Sequence, residues 1–181
     1  MSDFKFHLNK DLKKAGQGAD VSVLDAKVAK KVGDFHKTFK EYEKTSLVEL
    51  KNLAADFGLG RVWVKDESLR FNLNAFKVLG GTYAIGRYLA DRLGVDISEL
   101  SREKLASKEV RDKIGQVTFA STTDGNHGRG VAWTAQQLGQ KAVIYMPKGS
   151  AKIRVDNILA TGAECTVTEM NYDDTVRMTD A

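Results

Sequence analysis

The stretch Asn74-Ala75-Phe76-Lys77-Val78-Leu79-Gly80-Gly81 joins a strand pattern to a helix pattern. Upstream, residues 62–65 read Val-Trp-Val-Lys, an apolar and β-rich run that is typical of a strand. Downstream, apolar residues recur at helical spacing as far as Leu93, and Gly94 can end the helix. The pattern therefore predicts a strand followed by a helix whose first turn carries Lys77.

The position of Lys77 favours a chemical role for its amine. In the first turn of a helix the ammonium faces the positive end of the helix dipole, and Phe76 is expected to desolvate it. Both effects favour the neutral amine, which is the form that attacks a carbonyl. The commoner role is a surface lysine with a packed stem, so the assignment depends on a second motif downstream.

Length and composition indicate one globular domain or slightly more. The chain has 181 residues, 42% of them hydrophobic and 29% charged. The net charge of +4 comes from interleaved charges without a long run of one sign. We therefore expect neither a nucleic-acid partner nor a membrane surface as a partner.

The cysteine and histidine content argues against disulfides and metal sites. Cys165 is the one cysteine, which excludes an intramolecular disulfide and predicts a reducing, cytoplasmic location; its apolar strand context predicts a packed thiol. The histidines at positions 7, 36 and 127 are far apart, so no metal site is expected. The first residues lack the apolar core of a signal peptide, and no run reaches transmembrane length.

The segments flanking the lysine helix are predicted to be helical. Residues 21–42 carry apolar side chains along one face, and residues 1–17 are expected to be extended or loosely ordered. Ser46 and Glu49 form a capping-box pattern before a further helix that ends near Gly58. The charged stretch 96–113 predicts one solvated helix or two short ones, anchored by Ile97, Leu100, Leu105, Val110 and Ile114.

Strands and helices then alternate regularly. The pattern predicts strands at 117–121, 142–146 and 164–168, with helices at 131–138, from Ser150 to about 161, and from Asp173 onward. Such alternation indicates an α/β fold with an open, mostly parallel sheet. The chain stops inside the last predicted helix, so the sheet is expected to be truncated.

The second motif is the glycine-rich turn at residues 121–130, Ser-Thr-Thr-Asp-Gly-Asn-His-Gly-Arg-Gly. Ligands of parallel sheets bind at the carboxyl ends of strands, where helices begin, and this turn follows a predicted strand. It could hold a carboxylate or a phosphate. The spacing of its glycines differs from the dinucleotide fingerprint G-x-G-x-x-G, and the chain contains no P-loop pattern.

Each polar residue of this turn also has an ordinary structural role. Asp124 could be a turn or cap residue, Asn126 a left-handed turn residue and His127 a packed histidine. Taken singly, these roles are the more common ones. Together with Lys77 one βα unit upstream, however, the turn indicates a site for a cofactor aldehyde and an amino-acid carboxylate.

The two motifs together resemble the β-family of pyridoxal-phosphate enzymes, which share the tryptophan-synthase-β-like fold type II. The chain departs from the common dehydratase pattern of that family, because Ala75 replaces a serine, Leu79 an arginine and Asp124 a small residue. At these positions it is similar to the diaminopropionate ammonia-lyases. The resemblance extends from about residue 46 to the end, and its motifs lie at residues 65–68, 70–71, 73–77 and 123–133.

The resemblance implies a β-elimination that releases ammonia from 2,3-diaminopropionate and yields pyruvate. It implies that Lys77 holds pyridoxal 5'-phosphate covalently and acts as a base at Cα, and that Asn126 contacts the ring oxygen of the cofactor. The turn around Thr123 and Gly125 would hold the substrate carboxylate, and His127 would also belong to the substrate site. Asp124, unfavourable beside a bound carboxylate unless a cation compensates it, would bind the second ammonium or act as a base on the opposite face.

The resemblance also defines what we expect of the chain as a whole. Residues 1–181 would be the N-terminal portion of the lyase, with an N-terminal segment and helix at 1–45, the strand and lysine helix at 46–94, and βαβ units at 95–181. The full-length enzyme is expected to be a homodimer. The glycine-rich phosphate loop is missing, because Gly162 is the one glycine after Gly149. A serine/threonine dehydratase-like lyase and a non-catalytic fragment are the alternatives.

Overall fold

The computed structural model describes residues 10, 18, 20–21 and 24–181. The expected extended segment at 1–17, apart from Lys10, and the histidine at position 7 lie outside these residues. Among the described residues, no helix combines the length and apolar character needed to cross a bilayer.

The first helix, α1, spans Ala26–His36 and is shorter than the predicted 21–42. It begins at Asp25, whose carboxylate accepts a hydrogen bond from the Val28 amide at 2.7 Å. Of the predicted apolar face, Phe35 is buried, whereas Val21 is 65% exposed and Leu24 is 77% exposed. Local capping therefore decided where the helix starts.

The predicted capping box at Ser46 is wrong, because that region forms a strand. Strand β1 (Leu47–Glu49) pairs antiparallel with β2 (Trp63–Lys65), with Val48 opposite Val64. The helix between them, α2, spans Lys51–Asp56 and has no side-chain cap. Pairing with a partner more than ten residues away outweighed the local capping signal.

The lysine helix, α3, spans Lys77–Leu93 and ends at Gly94, which adopts the left-handed conformation with φ of 72°. Both boundaries agree with the prediction. The helix does not follow β2 directly. Residues 66–76, which we call the lysine arm, intervene and contain a 3₁₀ turn at Arg70–Asn72.

The charged stretch folds into short helices, as predicted. A 3₁₀ turn at Ile97–Glu99 is followed by α4 (Arg102–Leu105) and α5 (Lys108–Ile114). The apolar residues expected to anchor the stretch face the core, and four of them are buried: Ile97, Leu100, Leu105 and Val110.

The main sheet is parallel, with the order β3-β4-β5, and confirms the predicted α/β class. Its strands are β3 (Thr118–Thr122), β4 (Lys141–Met146) and β5 (Glu164–Val167). The connecting helices are α6 (Asn126–Gln137) and α7 (Lys152–Leu159), and α8 (Tyr172–Asp180) follows β5. Strands β1 and β2 form a separate two-stranded sheet.

Two local predictions in this half are corrected by the structure. Helix α6 begins five residues earlier than expected. Ser150 does not cap α7, because the N-cap is Ala151 and the Ser150 hydroxyl instead donates to the Pro147 carbonyl at 2.8 Å. Cys165 is partly buried in β5, and burial raises the pKa of its thiol, in line with the predicted packed cysteine.

Candidate active site

The two motifs meet where α3 and α6 begin. A β-carbon built on Gly130 would lie 2.9 Å from the α-carbon of Val78, which is closer than two such atoms approach in real proteins. A glycine at position 130 therefore allows the two helices to touch through their backbones. Lys77 directly precedes Val78, and the turn with Asp124 directly precedes α6, so the contact brings both motifs to one edge of the sheet.

Lys77 is the first residue of α3, and its side chain is exposed. Phe76 is 62% exposed, so the expectation that it desolvates the lysine is wrong. Within the described part of the chain, the Lys77 amine makes no hydrogen bond or ion pair and is open to a carbonyl partner.

The turn is shaped from within by Thr123, which is 1% exposed. Its hydroxyl oxygen accepts hydrogen bonds from the amides of Gly125 and Gly128, at 2.9 and 3.0 Å. Gly125 has φ of 156° and ψ of −90°, a conformation that side chains disfavour. A β-carbon on Gly128 would lie 2.3 Å from the Thr123 methyl group. The threonine hydroxyl and the Gly125 amide thus hold the turn together.

The structure excludes the ordinary structural roles considered for Asn126 and His127. Asn126 is the first helical residue of α6 and has no positive φ, so it is not a left-handed turn residue. His127 is exposed rather than packed. Asp124 is exposed as well, and α6 has no side-chain N-cap. Three polar side chains are therefore presented to solvent at the carboxyl end of β3.

Arg154 is a partner of the turn that the sequence interpretation missed. Its Nη1 donates to the main-chain oxygen of Asp124 at 2.8 Å and lies 3.9 Å from the Asp124 carboxylate. The side chains line an open cavity of about 350 Å³ with residues 147–151. Arg154 lies in the first turn of α7, the helix that follows β4, and neighbouring parallel strands end at the same edge of a sheet. That rule could have placed it near Asp124.

A second missed interaction holds the lysine arm to α6. Arg129 donates from Nη1 to the carbonyl of Leu73 at 3.1 Å, which ties the helix of one motif to the segment that leads into Lys77. The arm is unusual because three of its non-glycine residues have positive φ. They are Phe71, Asn72 and Asn74, with φ of 48°, 58° and 60°.

The same arm is anchored by a buried ion pair. Arg70, which is 6% exposed, donates from Nε and Nη2 to the two carboxylate oxygens of Glu67, at 2.7 and 2.9 Å. It also donates to the Thr45 hydroxyl at 2.8 Å. The hydrogen bonds from Arg70 lower the pKa of Glu67 to about 2, well below its ordinary 4.5. These contacts fix the strained approach to the lysine helix.

His36 forms a hydrogen bond to the main chain of α3 near its first turn. It is 4% exposed, and its Nε2 lies 2.9 Å from the carbonyl oxygen of Leu79, so the neutral ring donates there. Burial lowers the pKa of His36, and the charge of Arg70 lowers it further, while the bond to Leu79 opposes the shift. His36 thus has a structural role, and it contacts α3 at Leu79, two residues after Lys77.

Other candidate sites among residues 24–181 do not involve the motifs. A cavity of about 350 Å³ lies near Arg111, Gln140 and Glu164. It is at the amino-terminal ends of β4 and β5, whereas the turn with Asp124 follows the carboxyl end of β3. No cluster of histidine, cysteine and acidic side chains in this range could hold a metal ion. The edge that carries Lys77 and Asp124 is therefore the candidate active site.

Known proteins resemble the chain over nearly all of its length. The family model of pyridoxal-phosphate dependent enzymes matches residues 38–181. Diaminopropionate ammonia-lyase of Salmonella typhimurium is 53% identical over 174 residues, which are 96% of this chain and 43% of the relative. The chain thus spans less than half the length of this curated relative.

Solved structures and a more distant relative agree with this match. The apo form of diaminopropionate ammonia-lyase from Escherichia coli is 57% identical with a TM-score of 0.81, over 88% of this chain and 42% of that one. L-threonine dehydratase of Haemophilus influenzae is 34% identical over 113 residues, which are 62% of this chain and 18% of the relative. With its parallel sheet and its family match over residues 38–181, the chain belongs to the pyridoxal-phosphate-dependent enzymes of fold type II.

Proposed function

We propose that the chain carries the lysine and the acid of a lyase that eliminates ammonia from 2,3-diaminopropionate and yields pyruvate and ammonia. The observation that carries the proposal is the contact between Val78 and Gly130, which brings Lys77 and the Asp124 turn to one edge of the sheet. The 53% identity to the Salmonella typhimurium lyase supports it. Because the chain spans 43% of that relative, the activity is proposed for the whole protein.

The residues at this edge fit pyridoxal 5'-phosphate. Lys77 presents an exposed amine for covalent attachment to the cofactor aldehyde, and Asn126 presents an exposed amide at the start of α6 for its ring oxygen. When bound, the cofactor supplies an electron sink for the carbanion that forms at Cα. Holding and orienting it there is the role we propose for these two side chains.

Lys77 and Asp124 are proposed to move the protons. When it is not attached to the cofactor, the Lys77 amine would be the base that removes the proton from Cα on one face. Asp124 has an exposed carboxylate and takes the same role on the opposite face, or binds the second ammonium of the substrate. The β-amino group leaves as ammonia, and hydrolysis of the remaining product gives pyruvate and a second ammonia. Two bases would allow both enantiomers to react.

The rest of the turn is proposed to shape the substrate site. Thr123 and Gly125 would contribute to the substrate site by fixing the shape of the turn. The Gly125 amide donates a hydrogen bond to the Thr123 hydroxyl and so holds the turn together. His127 is exposed one residue into α6 and would face the substrate. We further propose that the full-length enzyme is a cytoplasmic homodimer that acts in amino-acid breakdown, as the resemblance to the lyases implies.

Borohydride reduction tests the cofactor assignment on the chain itself. The chain is incubated with pyridoxal phosphate, reduced and digested, and the labelled peptide is identified by mass spectrometry. We expect the pyridoxyl label on Lys77 and its loss in Lys77→Ala. A label on Lys65 or Lys148 with Lys77 unmodified would overturn the assignment.

A substrate panel separates the proposed activity from its alternatives in the full-length enzyme. Pyruvate release from both enantiomers of diaminopropionate, with slow reaction of serine and threonine, is the expected result. The threonine dehydratase match makes the reverse preference the competing outcome. If a protein that carries cofactor on Lys77 turned over none of these amino acids, the result would favour the non-catalytic alternative.

A further inference from the structure

We propose that Arg154 is a positioning residue, which holds the peptide between Asp124 and Gly125 in the orientation that prepares the turn for the substrate carboxylate. The inference rests on the proposed function and deepens it, because it names a residue outside the turn on which carboxylate binding depends. In this role Arg154 does not contact the substrate. Its effect passes through the backbone of the turn.

Three amides of the turn have no acceptor among the described residues, namely those of Asp124, Asn126 and His127. Two of them, at Asn126 and His127, lie in the first turn of α6, where the helix dipole favours an anion. The substrate carboxylate can therefore accept hydrogen bonds from the backbone of the turn. These amides are correctly placed for it only while the turn keeps its conformation.

The peptide between Asp124 and Gly125 is held on both sides. A planar trans peptide points its carbonyl oxygen and its N–H group in opposite directions. Arg154 Nη1 donates to the Asp124 carbonyl oxygen at 2.8 Å, and the Gly125 N–H donates to the Thr123 hydroxyl at 2.9 Å. The amide of Thr123 in turn donates to the carbonyl of Tyr145 in β4 at 3.0 Å. The peptide is thus fixed to the sheet through Thr123 and to α7 through Arg154.

Glycine at position 125 makes this peptide easy to rotate. Gly125 has φ of 156° and ψ of −90°, and a residue without a β-carbon has other conformations of similar energy. Rotation of the peptide would break the bond between Gly125 and Thr123 and would move the backbone that carries the free amides of Asn126 and His127. The bond from Arg154 opposes this rotation, because the rotation would remove its acceptor.

The stem of Arg154 also packs on the turn. Its Cδ lies 3.2 Å from the position that a β-carbon on Gly125 would occupy, and its Cγ lies 3.7 Å from that position. The stem thus covers the glycine while the guanidinium reaches the Asp124 carbonyl. Methionine has a stem of similar length and no donor. Arg154→Met therefore removes the hydrogen bond and keeps most of the packing.

An effect of the Arg154 charge on the Asp124 carboxylate is the competing explanation. Nη1 lies 3.9 Å from that carboxylate, and the two side chains are 55% and 68% exposed. Exposed pairs at this separation are weak and are screened by salt. The two explanations predict different kinetics. Loss of the charge would change the rate and its pH dependence through Asp124, whereas loss of the main-chain bond would weaken carboxylate binding.

Two probes that differ by one carboxylate test the positioning role without turnover. Free glycine and methylamine both carry an amine for the cofactor, neither has a β-substituent to eliminate, and methylamine lacks the carboxylate. Each is titrated into the full-length, cofactor-loaded enzyme, and the absorbance of the cofactor is followed. In Arg154→Met, the dissociation constant of glycine is expected to rise ~3- to 10-fold, the range for the net loss of one hydrogen bond, while that of methylamine stays within about twofold.

Steady-state kinetics with 2,3-diaminopropionate give a second readout. In Arg154→Met, KM is expected to rise by ~3- to 10-fold while kcat stays within about twofold, because the carboxylate is held equally in the ground state and the transition state. The pH dependence of kcat should not change. Arg154→Lys keeps a cationic donor and should recover part of the loss. Lys152→Met, which removes an exposed cation that pairs with Asp156, is the control and should change neither constant.

The outcomes separate the inference from the proposed function. Equal losses for glycine and methylamine in Arg154→Met would reduce Arg154 to a structural contact and overturn the inference. Unchanged glycine binding in that variant, or no saturable signal with glycine in the unsubstituted enzyme, would overturn it as well. A lower kcat with a shifted pH profile would assign the effect to the charge on Asp124 and would also overturn it. Selectively weakened glycine binding, in an enzyme that releases no pyruvate from diaminopropionate, would instead remove the proposed activity and leave the positioning role in place.

Discussion

Val78 and Gly130 are in backbone contact, because a β-carbon on Gly130 would come within 2.9 Å of the Val78 α-carbon and 3.2 Å of its amide nitrogen. This contact joins the starts of α3 and α6. The two residue sets that the proposed chemistry requires are separated by more than forty positions in sequence. Their distance in space depends on this one missing side chain, which makes Gly130 a sensitive point for both stability and function.

Gly130→Ala is expected to force α3 and α6 apart. Overpacking at a backbone contact costs about 1–3 kcal/mol, which exceeds the gain of about 0.5–1 kcal/mol from replacing a helical glycine. Urea unfolding followed by circular dichroism measures the change. Gly80→Ala is the matched control, because nothing lies within 4 Å of a β-carbon at that helical position. A stability gain of the same size in both variants would show that the close contact is absent.

Glu67→Gln is expected to destabilise the fold by about 3 kcal/mol, the lower end of the cost of leaving one partner of a buried ion pair uncompensated. The Arg70 side chain is 7% exposed and that of Glu67 is 17% exposed, so the charge of Arg70 cannot return to water without moving the lysine arm. Chemical denaturation measures the loss. Asp156→Asn, which breaks the exposed pair with Lys152, should stay within about 0.5 kcal/mol and is the control.

The lowered pKa of the Glu67 carboxyl group predicts how the stability of the fold changes in acid. The pKa of Glu67 is about 2 in the folded chain and ordinarily 4.5, so the unfolded chain binds its proton first as the pH falls. The stability from Glu67 is present above pH 4.5 and is lost as the pH falls through about 2. The slope of stability against pH in this window should be smaller in Glu67→Gln, and an unchanged slope would contradict the assignment.

His36 is expected to make stability depend on pH in a higher range. Burial holds its pKa below the ordinary 6.5, so protonation favours the unfolded chain and stability falls as the pH is lowered below 6.5. His36→Gln keeps a donor for the Leu79 carbonyl but cannot titrate. Urea midpoints from about pH 8 to about pH 5 should therefore change less in this variant than in the unsubstituted chain. Parallel curves for the two proteins would exclude His36 as the source.

Asp124→Ala is expected to lower turnover of diaminopropionate in the full-length enzyme by ~10²- to 10⁴-fold, the usual effect of removing an acid or base. The absorbance of bound cofactor should be retained, because we assign the cofactor to Lys77 and Asn126. The rate is measured with each enantiomer separately. An unchanged rate with both would reduce Asp124 to a turn residue.

The β1–β2 ribbon is expected to promote self-association of the chain. Val48 and Val64 are paired on one face and are 42% and 44% exposed, while Leu47 and Trp63 on the other face are 60% and 48% exposed. Two-stranded ribbons with open edges and apolar faces attract further strands. Light scattering should show a mass above that of a monomer, reduced by Val64→Lys but not by Leu159→Lys, a substitution at an exposed apolar position on α7.

Local patterns in the sequence determined the elements whose signals are themselves local. The end of α3 follows from Gly94, because a left-handed residue closes the last turn at low cost. The strands β3, β4 and β5 follow from apolar runs alternating with helical segments. The motif around Lys77 and the turn with Asp124 could also be recognised in the sequence, because each of them is a contiguous stretch of the chain.

Elements whose outcome depends on a distant partner could not be predicted in this way. The glycines at 125, 128 and 130 favour a turn locally, yet α6 already begins at Asn126. Gly128 packs where its β-carbon would lie 2.9 Å from a methyl group of Ile144, and Gly130 packs against Val78. These contacts stabilise a helix that its own composition disfavours.

The sequence by itself determined the class of fold, the lysine helix and the chemical identity of the groups that the proposed reaction needs. Only the tertiary structure decided that Ser46 leads into a strand, that Thr123 closes the turn from within, and that Arg154 lies against Asp124 thirty positions earlier. The physical reason is the range of the interactions. Caps and periodicity act over a few residues, whereas strand pairing, backbone contact between helices and an ion pair across a sheet edge exist only once the chain has folded.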